Sequence, residues 1–146
     1  MKQVLIDENL SESLAKGLDI LQEPLLNEIK VTSIATQFYK GIKDEDWIPA
    51  WGAKSGIFIT QDLRIKTTQQ AALLVKYKLG AFFLKTPKGY RYWDKALIIL
   101  KHWPAIVKII QTAKPPYVYF ITLSPPSPAF LTNMDPSGFS LPENPM

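Results

Sequence analysis

The chain has 146 residues, 47% of them hydrophobic and 21% charged, with a formal net charge of +4, which is typical of one ordinary globular domain. The absence of cysteine and the single histidine exclude disulfides, thiolate metal sites, a thiol nucleophile and catalytic histidine pairs. The glycines form no nucleotide-phosphate motif, and no signal-like or membrane-spanning apolar run is present, so we expect a soluble, cytoplasmic protein.

The first predicted elements are a strand, a helix and a second strand. An apolar run at residues 4–6 predicts a buried strand that ends directly before Asp7. Ser11 is a suitable N-cap for a helix over residues 11–21. The predicted buried stripe of this helix consists of four leucines at helical spacing, namely Leu10, Leu14, Leu18 and Leu21. An irregular connection then leads to a second strand at residues 30–35.

The second predicted helix ends near residue 54, and its start depends on Pro49. Proline lacks the N–H that a helix interior needs but is harmless in the first turn. A cap at Asp46 therefore loses no hydrogen bond, whereas a cap at Asp44 requires a weakened first turn. Both starts remain open.

The third predicted strand, at residues 57–60, leads directly towards Asp62. A helix follows over residues 67–79, closed by Gly80, and a fourth strand over residues 81–84. This regular alternation of strands and helices continues the pattern of the first half.

The last predicted elements are a basic loop at residues 85–91, a long helix over 92–112 and a strand over 117–122. Pro104 should kink or divide the helix. The apolar side of this helix is predicted to contain Trp93, Leu97, Leu100 and Trp103. All four tryptophans are expected to pack in the core, namely Trp47, Trp51, Trp93 and Trp103. Residues 1–123 should form the domain, and the proline-rich residues 124–146 a disordered tail.

Short apolar strands that alternate with helices predict an α/β fold with a mostly parallel sheet covered on both faces. In such sheets the functional crevice lies beyond the carboxyl ends of the strands. Asp7 and Asp62 each follow a predicted strand. Asp44 and Asp46 begin the helix that precedes the third strand, so one edge of the sheet can collect all four carboxylates.

Carboxylates are the catalytic groups that the composition leaves available. Mg²⁺ or Mn²⁺ takes oxygen ligands and needs only a few carboxylates together with a substrate phosphate. Three or four converging aspartates meet that need. Alternatively, Asp7 and Asp62 are turn residues and Asp44 or Asp46 is a helix cap, which are common positions for aspartate.

The charges are unevenly distributed along the chain. Residues 1–62 contain 6 basic and 10 acidic side chains, whereas residues 63–114 contain 11 basic side chains and a single acid. This basic excess favours a polyanionic partner, either nucleic acid or an acidic protein, although a solvated helix face would explain part of it. The candidates for contacts to RNA phosphates are Lys85, Lys88 and Arg91, with Tyr90 and Tyr92 beside them for base stacking. An exposed loop that only solvates its lysines is an equally good interpretation.

Two segments carry a family resemblance, VLIDENLSESLAKGL at the start and GIKDEDWIPAWGAKSGIFITQDLRI further on. They contain a strand ending in D-E-N-L, an acidic helix start and a strand ending in T-x-D. In this order they resemble the PIN-like domain family, which includes VapC-type toxin ribonucleases, over residues 1–66. The later segment KGYRYWDKALIILKHW is similar to a helix of some members.

The resemblance implies a three-layer α/β/α fold and a Mg²⁺- or Mn²⁺-dependent endoribonuclease. Matched position by position, the metal ligands fall on Asp7, Asp44 and Asp62. Asp46 lies where relatives often have a second acid. Many relatives have a further acid two residues after T-x-D, and Arg64 occupies that position here, so the fourth ligand is missing or is supplied by Asp46.

The resulting hypothesis is a ribonuclease toxin that cleaves RNA, with a cognate antitoxin and a homodimer as further expected partners. The proposed catalytic set consists of Asp7, Asp44, Asp46 and Asp62. Thr60 is expected to hydrogen-bond a ligand carboxylate, and Glu8 is an accessory residue. The competing hypothesis is a degenerate, non-catalytic PIN-like module that binds RNA or an acidic protein through its basic half.

Overall fold

The computed structural model of the protein describes residues 2–25, 29–61, 68–123 and 127–128. Their strands are β1 (Lys2–Ile6), β2 (Ile29–Ser33), β3 (Ile57–Thr60), β4 (Gly80–Leu84), β5 (Tyr117–Ile121) and β6 (Ser127–Pro128). Their helices are α1 (Glu12–Gln22), α2 (Ile34–Gln37), α3 (Asp44–Lys54), α4 (Thr68–Lys76) and α5 (Tyr92–Thr112), and a 3-10 turn follows α1 at Glu23–Leu25. In this part of the chain no helix is long and apolar enough to span a membrane.

The strands form one sheet in the order β2-β1-β3-β4-β5-β6. The first five strands are parallel, and β6 pairs antiparallel with β5. The order reverses at β1, which lies between β2 and β3. In an open parallel sheet, such a reversal opens a crevice beyond the carboxyl ends of β1 and β3, because the chain leaves these two strands in opposite directions. The predicted α/β fold with a mostly parallel sheet is confirmed.

Helices cover both faces of this sheet. On one face, the Trp47 ring of α3 packs edge-on against Phe58 of β3, with 5.1 Å between centroids. The register of β1 with β3 directs Lys2 to the opposite face, where its ammonium group donates to a carbonyl of α5. On that second face, Trp103 Nε1 of α5 donates to Gln22 Oε1 of α1, at 2.9 Å. The resulting three layers agree with the α/β/α architecture.

Helix α1 confirms the predicted cap but not the whole buried stripe. Ser11 Oγ accepts a hydrogen bond from the backbone N–H of Leu14, at 3.2 Å. Leu14 and Leu18 are buried, whereas Leu21 is 62% exposed, so its predicted place in the core is wrong. Gln22, one turn after Leu18, occupies the buried stripe instead because α1 packs against α5.

The boundaries of β2 and α3 differ from those predicted. Strand β2 ends at Ser33 because the Ser33 hydroxyl accepts from the N–H of Thr36, at 3.2 Å, and thereby caps α2. Helix α3 begins at Asp44 with Lys43 as its N-cap, so neither Asp44 nor Asp46 is the cap. Pro49 therefore lies inside the helix.

The end of α4 is formed by Lys78 rather than by Gly80. Lys78 adopts a φ of 52°, in the left-handed region, and the N–H of Leu79 bonds the carbonyl of Leu74 at 2.9 Å. This is the geometry of a helix C-terminal cap, and it leaves Gly80 as the first residue of β4.

Helix α5 has the predicted length but a different buried face. Trp93 is 68% exposed and Leu97 is 58% exposed, so their predicted burial is wrong. The side chains that α5 buries are Ala96, Ile98, Ile99, His102, Trp103, Ile106, Val107 and Ile110. Of the predicted tail, residues 127–128 form β6, and the other residues lie outside the described part of the chain.

The buried Tyr117 ring gives a prediction for stability. It lies over Gly80, where an added Cβ would come within 2.5 Å of the ring. The Tyr117 hydroxyl is buried without a hydrogen-bond partner among the described residues. Burial raises the pKa of this hydroxyl above its usual range, and the neighbouring Tyr119 raises it further.

We expect Tyr117→Phe to keep or increase the free energy of unfolding, because it removes a buried polar atom that has no partner. The unfolded chain loses the Tyr117 proton near pH 10, but the folded chain retains it, so this residue should destabilise the wild type increasingly above about pH 10. Urea unfolding from pH 8 to pH 11 tests both points. A loss above about 1 kcal/mol at pH 8 in the variant would instead show that the hydroxyl is satisfied.

Candidate active site at the carboxyl end of the sheet

Asp7 follows β1 directly and is only 7% exposed. Its backbone N–H donates to the carbonyl of Ile59 at 2.9 Å, which fixes the start of the loop against β3. The Thr60 hydroxyl donates to Asp7 Oδ2 at 2.6 Å, and the backbone N–H of Glu8 donates to Oδ1 at 2.7 Å. Short bonds to both oxygens hold the carboxylate in one orientation. The predicted hydrogen bond between Thr60 and a site carboxylate is present.

Asn9 is a residue of this site to which the sequence pattern assigned no role. Its Nδ2 donates to Thr60 Oγ1 at 3.4 Å, and its Oδ1 accepts from the backbone N–H of Gln61 at 3.3 Å. Because the Thr60 oxygen accepts from Asn9, its own hydrogen is directed towards Asp7. The only available signal was the position of Asn9 in the D-E-N-L segment.

Glu8 connects this loop with the segment before α3. Its Oε2 accepts from the backbone N–H of Gly41 at 3.1 Å. Asp44, three residues later, is the first residue of α3, and its Oδ1 accepts from Trp47 Nε1 at 3.0 Å. The Trp47 side chain is fully buried, so it anchors Asp44 to the core. The loop after β1 and the start of α3 therefore meet at one edge of the sheet.

The other two acids of the predicted catalytic set, Asp46 and Asp62, are not seen beside Asp7 and Asp44 in the described part of the chain. Asp46 is exposed, and it lies about 200° around α3 from Asp44, so the two side chains leave the helix in different directions. Asp62 and Arg64 lie outside the described residues. The roles assigned to Asp46 and Asp62 remain predictions.

The basic loop after β4 leaves the sheet at the same edge. Thr60 of β3 pairs with Phe83 of β4. Lys85, two residues after Phe83, begins the loop. Lys85 Nζ lies 4.7 Å from the centroid of the Phe120 ring. The three basic residues predicted to contact RNA are exposed, namely Lys85, Lys88 and Arg91. Positive charge is therefore available at the edge of the sheet that carries Asp7.

The donor chemistry of the site suits a hard divalent cation, because Asp7 and Asp44 offer only carboxylate oxygens. Within residues 2–25, 29–61 and 68–123, no group of three acidic or histidine side chains is close enough to hold a metal ion. Two of the three predicted ligands belong to these segments, and the third, Asp62, does not.

Comparison with known proteins gives one match. A profile of the PIN-like domain family matches residues 2–86, which span β1 to β4 and include Asp7, Asp44 and Thr60. Searches of curated proteins and of solved structures return no significant match. The match covers more than half of the chain and ends at residue 86, before Lys88 and Arg91 of the basic loop. The chain belongs to the PIN-like domain family, whose members are generally nucleases and usually use divalent metals.

Proposed function

We propose that the protein is an endoribonuclease that hydrolyses RNA phosphodiesters with the help of Mg²⁺ or Mn²⁺. The observation that carries this proposal is the buried Asp7 carboxylate, oriented by Thr60 at the reversal point of a parallel sheet in a PIN-like chain. The hydrogen bonds from Thr60 and from the backbone N–H of Glu8 orient both Asp7 oxygens at this edge of the sheet, where carboxylate oxygens are suitable ligands for a hard divalent cation.

In this proposal Asp7, Asp44 and Asp62 hold the cation, and Asp46 orients the attacking water or holds a second ion. A bound Mg²⁺ or Mn²⁺ would lower the pKa of a water molecule and neutralise charge that develops on the phosphate. Thr60 keeps the Asp7 oxygens in place. The water oxygen forms a bond to phosphorus while the bond to the leaving sugar oxygen breaks, and that oxygen takes up a proton.

The basic residues Lys85, Lys88 and Arg91 bind phosphates of the same RNA in this proposal. They are exposed, and the first of them, Lys85, directly follows β4, which pairs with the strand that carries Thr60. Phosphate contacts of this kind position a substrate and take no part in the chemistry. Binding and cleavage therefore belong to separate sets of residues.

The finer biological role that we propose is that of a cytoplasmic toxin, neutralised by a cognate antitoxin. The resemblance of the first 66 residues to VapC-type toxins supports it. Expression of the wild type should arrest bacterial growth, and expression of Asp7→Asn should not. Relief of the arrest by a small protein encoded next to the gene would identify the antitoxin, and normal growth with wild-type protein present would contradict the toxin role.

A second candidate function is a non-catalytic module that binds RNA or an acidic protein. Arg64 favours it, since this residue stands where many relatives have a further acid.

A cation-dependent stability measurement distinguishes the two functions. If the aspartates hold an ion, millimolar Mn²⁺ or Mg²⁺ should stabilise the fold by about 1–3 kcal/mol, which corresponds to roughly 3–10 °C in Tm. We expect this shift for the wild type and for Glu45→Gln, an exposed acid of α3 outside the proposed ligand set. It should be lost in Asp7→Asn. A shift that is absent from the wild type, or equal in Asp7→Asn, would favour the non-catalytic module.

A further inference from the structure

Two large aromatic side chains are exposed at the start of α5. Tyr92 is 42% exposed and Trp93 is 68% exposed. Their ring centroids are 5.5 Å apart at an interplanar angle of 75°. A tryptophan exposed to this extent leaves a large apolar surface in water, and such surfaces are typical of binding sites.

The pair lies against the first turns of α1. Tyr92 and Trp93 line a small cavity of about 170 Å³ together with Ser13, Leu14 and Gly17. A Cβ added at Gly17 would contact nothing within 4 Å, so this side of α1 is open. Helices α1 and α5 follow the carboxyl ends of the parallel strands β1 and β4, so their first turns lie towards the edge of the sheet that carries Asp7.

Cationic residues flank the aromatic pair in the sequence. Lys88 and Arg91 precede it in the exposed loop, and Lys95 follows it on α5. The nearest acid on the helix, Asp94, accepts a hydrogen bond from the backbone N–H of Arg91 at 2.9 Å and so takes part in starting the helix. The cluster therefore combines exposed π-surfaces with an excess of positive charge.

On the basis of the proposed function, we infer that Tyr92 and Trp93 form a stacking platform for a base of single-stranded RNA whose phosphates contact Lys88 and Arg91. Exposed aromatic rings beside cationic side chains are the usual means of binding single strands without reading their sequence. An apolar protein partner would fit the rings but would leave these cations without counter-charges at the contact. The platform would hold the strand that leads to the carboxylates.

The test measures binding without cleavage, in EDTA. A single-stranded RNA oligonucleotide is compared with an abasic oligonucleotide that has the same number of phosphates. The wild type should bind the first more tightly than the second, because only the first can stack. Trp93→Ala should lose about tenfold in affinity for the RNA, the effect of one stacked base, and should bind the abasic strand unchanged. Trp93→Phe should restore most of the loss.

Leu97→Ala is the matched control, because Leu97 is also exposed and lies one turn along the same face of α5. It should leave both affinities unchanged. Equal RNA affinities for wild type and Trp93→Ala would overturn the platform. If, instead, Trp93→Ala and Leu97→Ala both convert a dimer into a monomer in sedimentation while RNA affinity is unchanged, the surface is an interface between two copies of the chain.

Failure of this inference can be distinguished from failure of the proposed nuclease function. RNA cleavage is measured in Mn²⁺ with the same proteins. A wild type that cleaves RNA, together with an unaffected Trp93→Ala, would overturn the platform and leave the nuclease in place. A wild type that binds bases through Trp93 but does not cleave would support the platform in an RNA-binding module.

Discussion

Replacement of Asp7 by Asn is expected to reduce RNA cleavage by about 10²- to 10³-fold or more. The substitution preserves the shape of the side chain but removes the charge that the proposed cation requires. The Glu8 N–H can still donate to the amide oxygen, and the amide NH₂ can donate to the Thr60 hydroxyl oxygen in place of the bond that Thr60 donates to Asp7, so the fold should be retained. Cleavage of a long single-stranded RNA in Mn²⁺ provides the measurement, and circular dichroism confirms the fold.

Asp62→Asn should abolish cleavage in the same assay and leave RNA binding intact or tighter, because a charge that repels phosphates is removed. Glu45→Gln, an exposed acid in the first turn of α3, is the matched control and should retain full cleavage. Asp46→Asn tests the role assigned to Asp46 in orienting water. Undiminished cleavage in Asp7→Asn and Asp62→Asn would point to a contaminating nuclease or to a different site.

The elements of the fold follow from local signals in the sequence. Ser11 caps α1 because its own side chain reaches the N–H of Leu14, three residues away. The apolar runs become strands that are buried on both faces, as a parallel sheet requires. Where Asp44 and Trp47 bond each other, the first turn of α3 forms three positions earlier than in a helix capped by Asp46, which would keep Pro49 in its first turn.

The face that α5 buries could not be predicted from spacing alone. Trp93 and Leu97 have helical spacing, but so do the buried residues Ala96, Ile99 and Trp103. Trp103 belongs to both stripes and is buried as predicted, and its contact with Gln22 of α1, 81 positions away in the sequence, accompanies the burial of the second set. Packing between distant helices therefore decides which of two apolar stripes faces the core, and leaves Trp93 at the surface.

The sequence predicted some contacts of the candidate site and missed others. Asp7 and Thr60 are 53 positions apart, yet the rule that parallel strands end at one edge brings them together correctly. The bonds of Asn9 to Thr60 and Gln61 depend on the exact path of the loop after β1, which no periodicity encodes. The bond between Glu8 and Gly41 joins two loops, and the accessory role assigned to Glu8 remains a prediction.

Simultaneous replacement of Lys85, Lys88 and Arg91 by Ala is expected to weaken RNA binding by roughly 10- to 100-fold at low salt. Each phosphate contact with a single strand contributes about 0.7 to the slope of log Kobs against log salt, so the slope should fall by up to about 2. Cleavage at saturating RNA should be preserved, because the carboxylates are unchanged. Fluorescence anisotropy across a salt series, in EDTA, measures the slope.

Three exposed lysines towards the other end of α5 and just beyond it provide a control of equal charge, namely Lys101, Lys108 and Lys114. Their replacement by Ala removes the same net charge. These three lysines are far along the chain from the carboxyl end of β4. A general attraction between a basic protein and RNA would lower the slope equally in both triple variants. A larger fall in the loop variant would locate the phosphate contacts at the edge that carries Asp7. Removing contacts to phosphates must reduce counterion release and therefore the slope. An unchanged slope in the loop variant would mean that the loop binds a protein partner or only increases solubility.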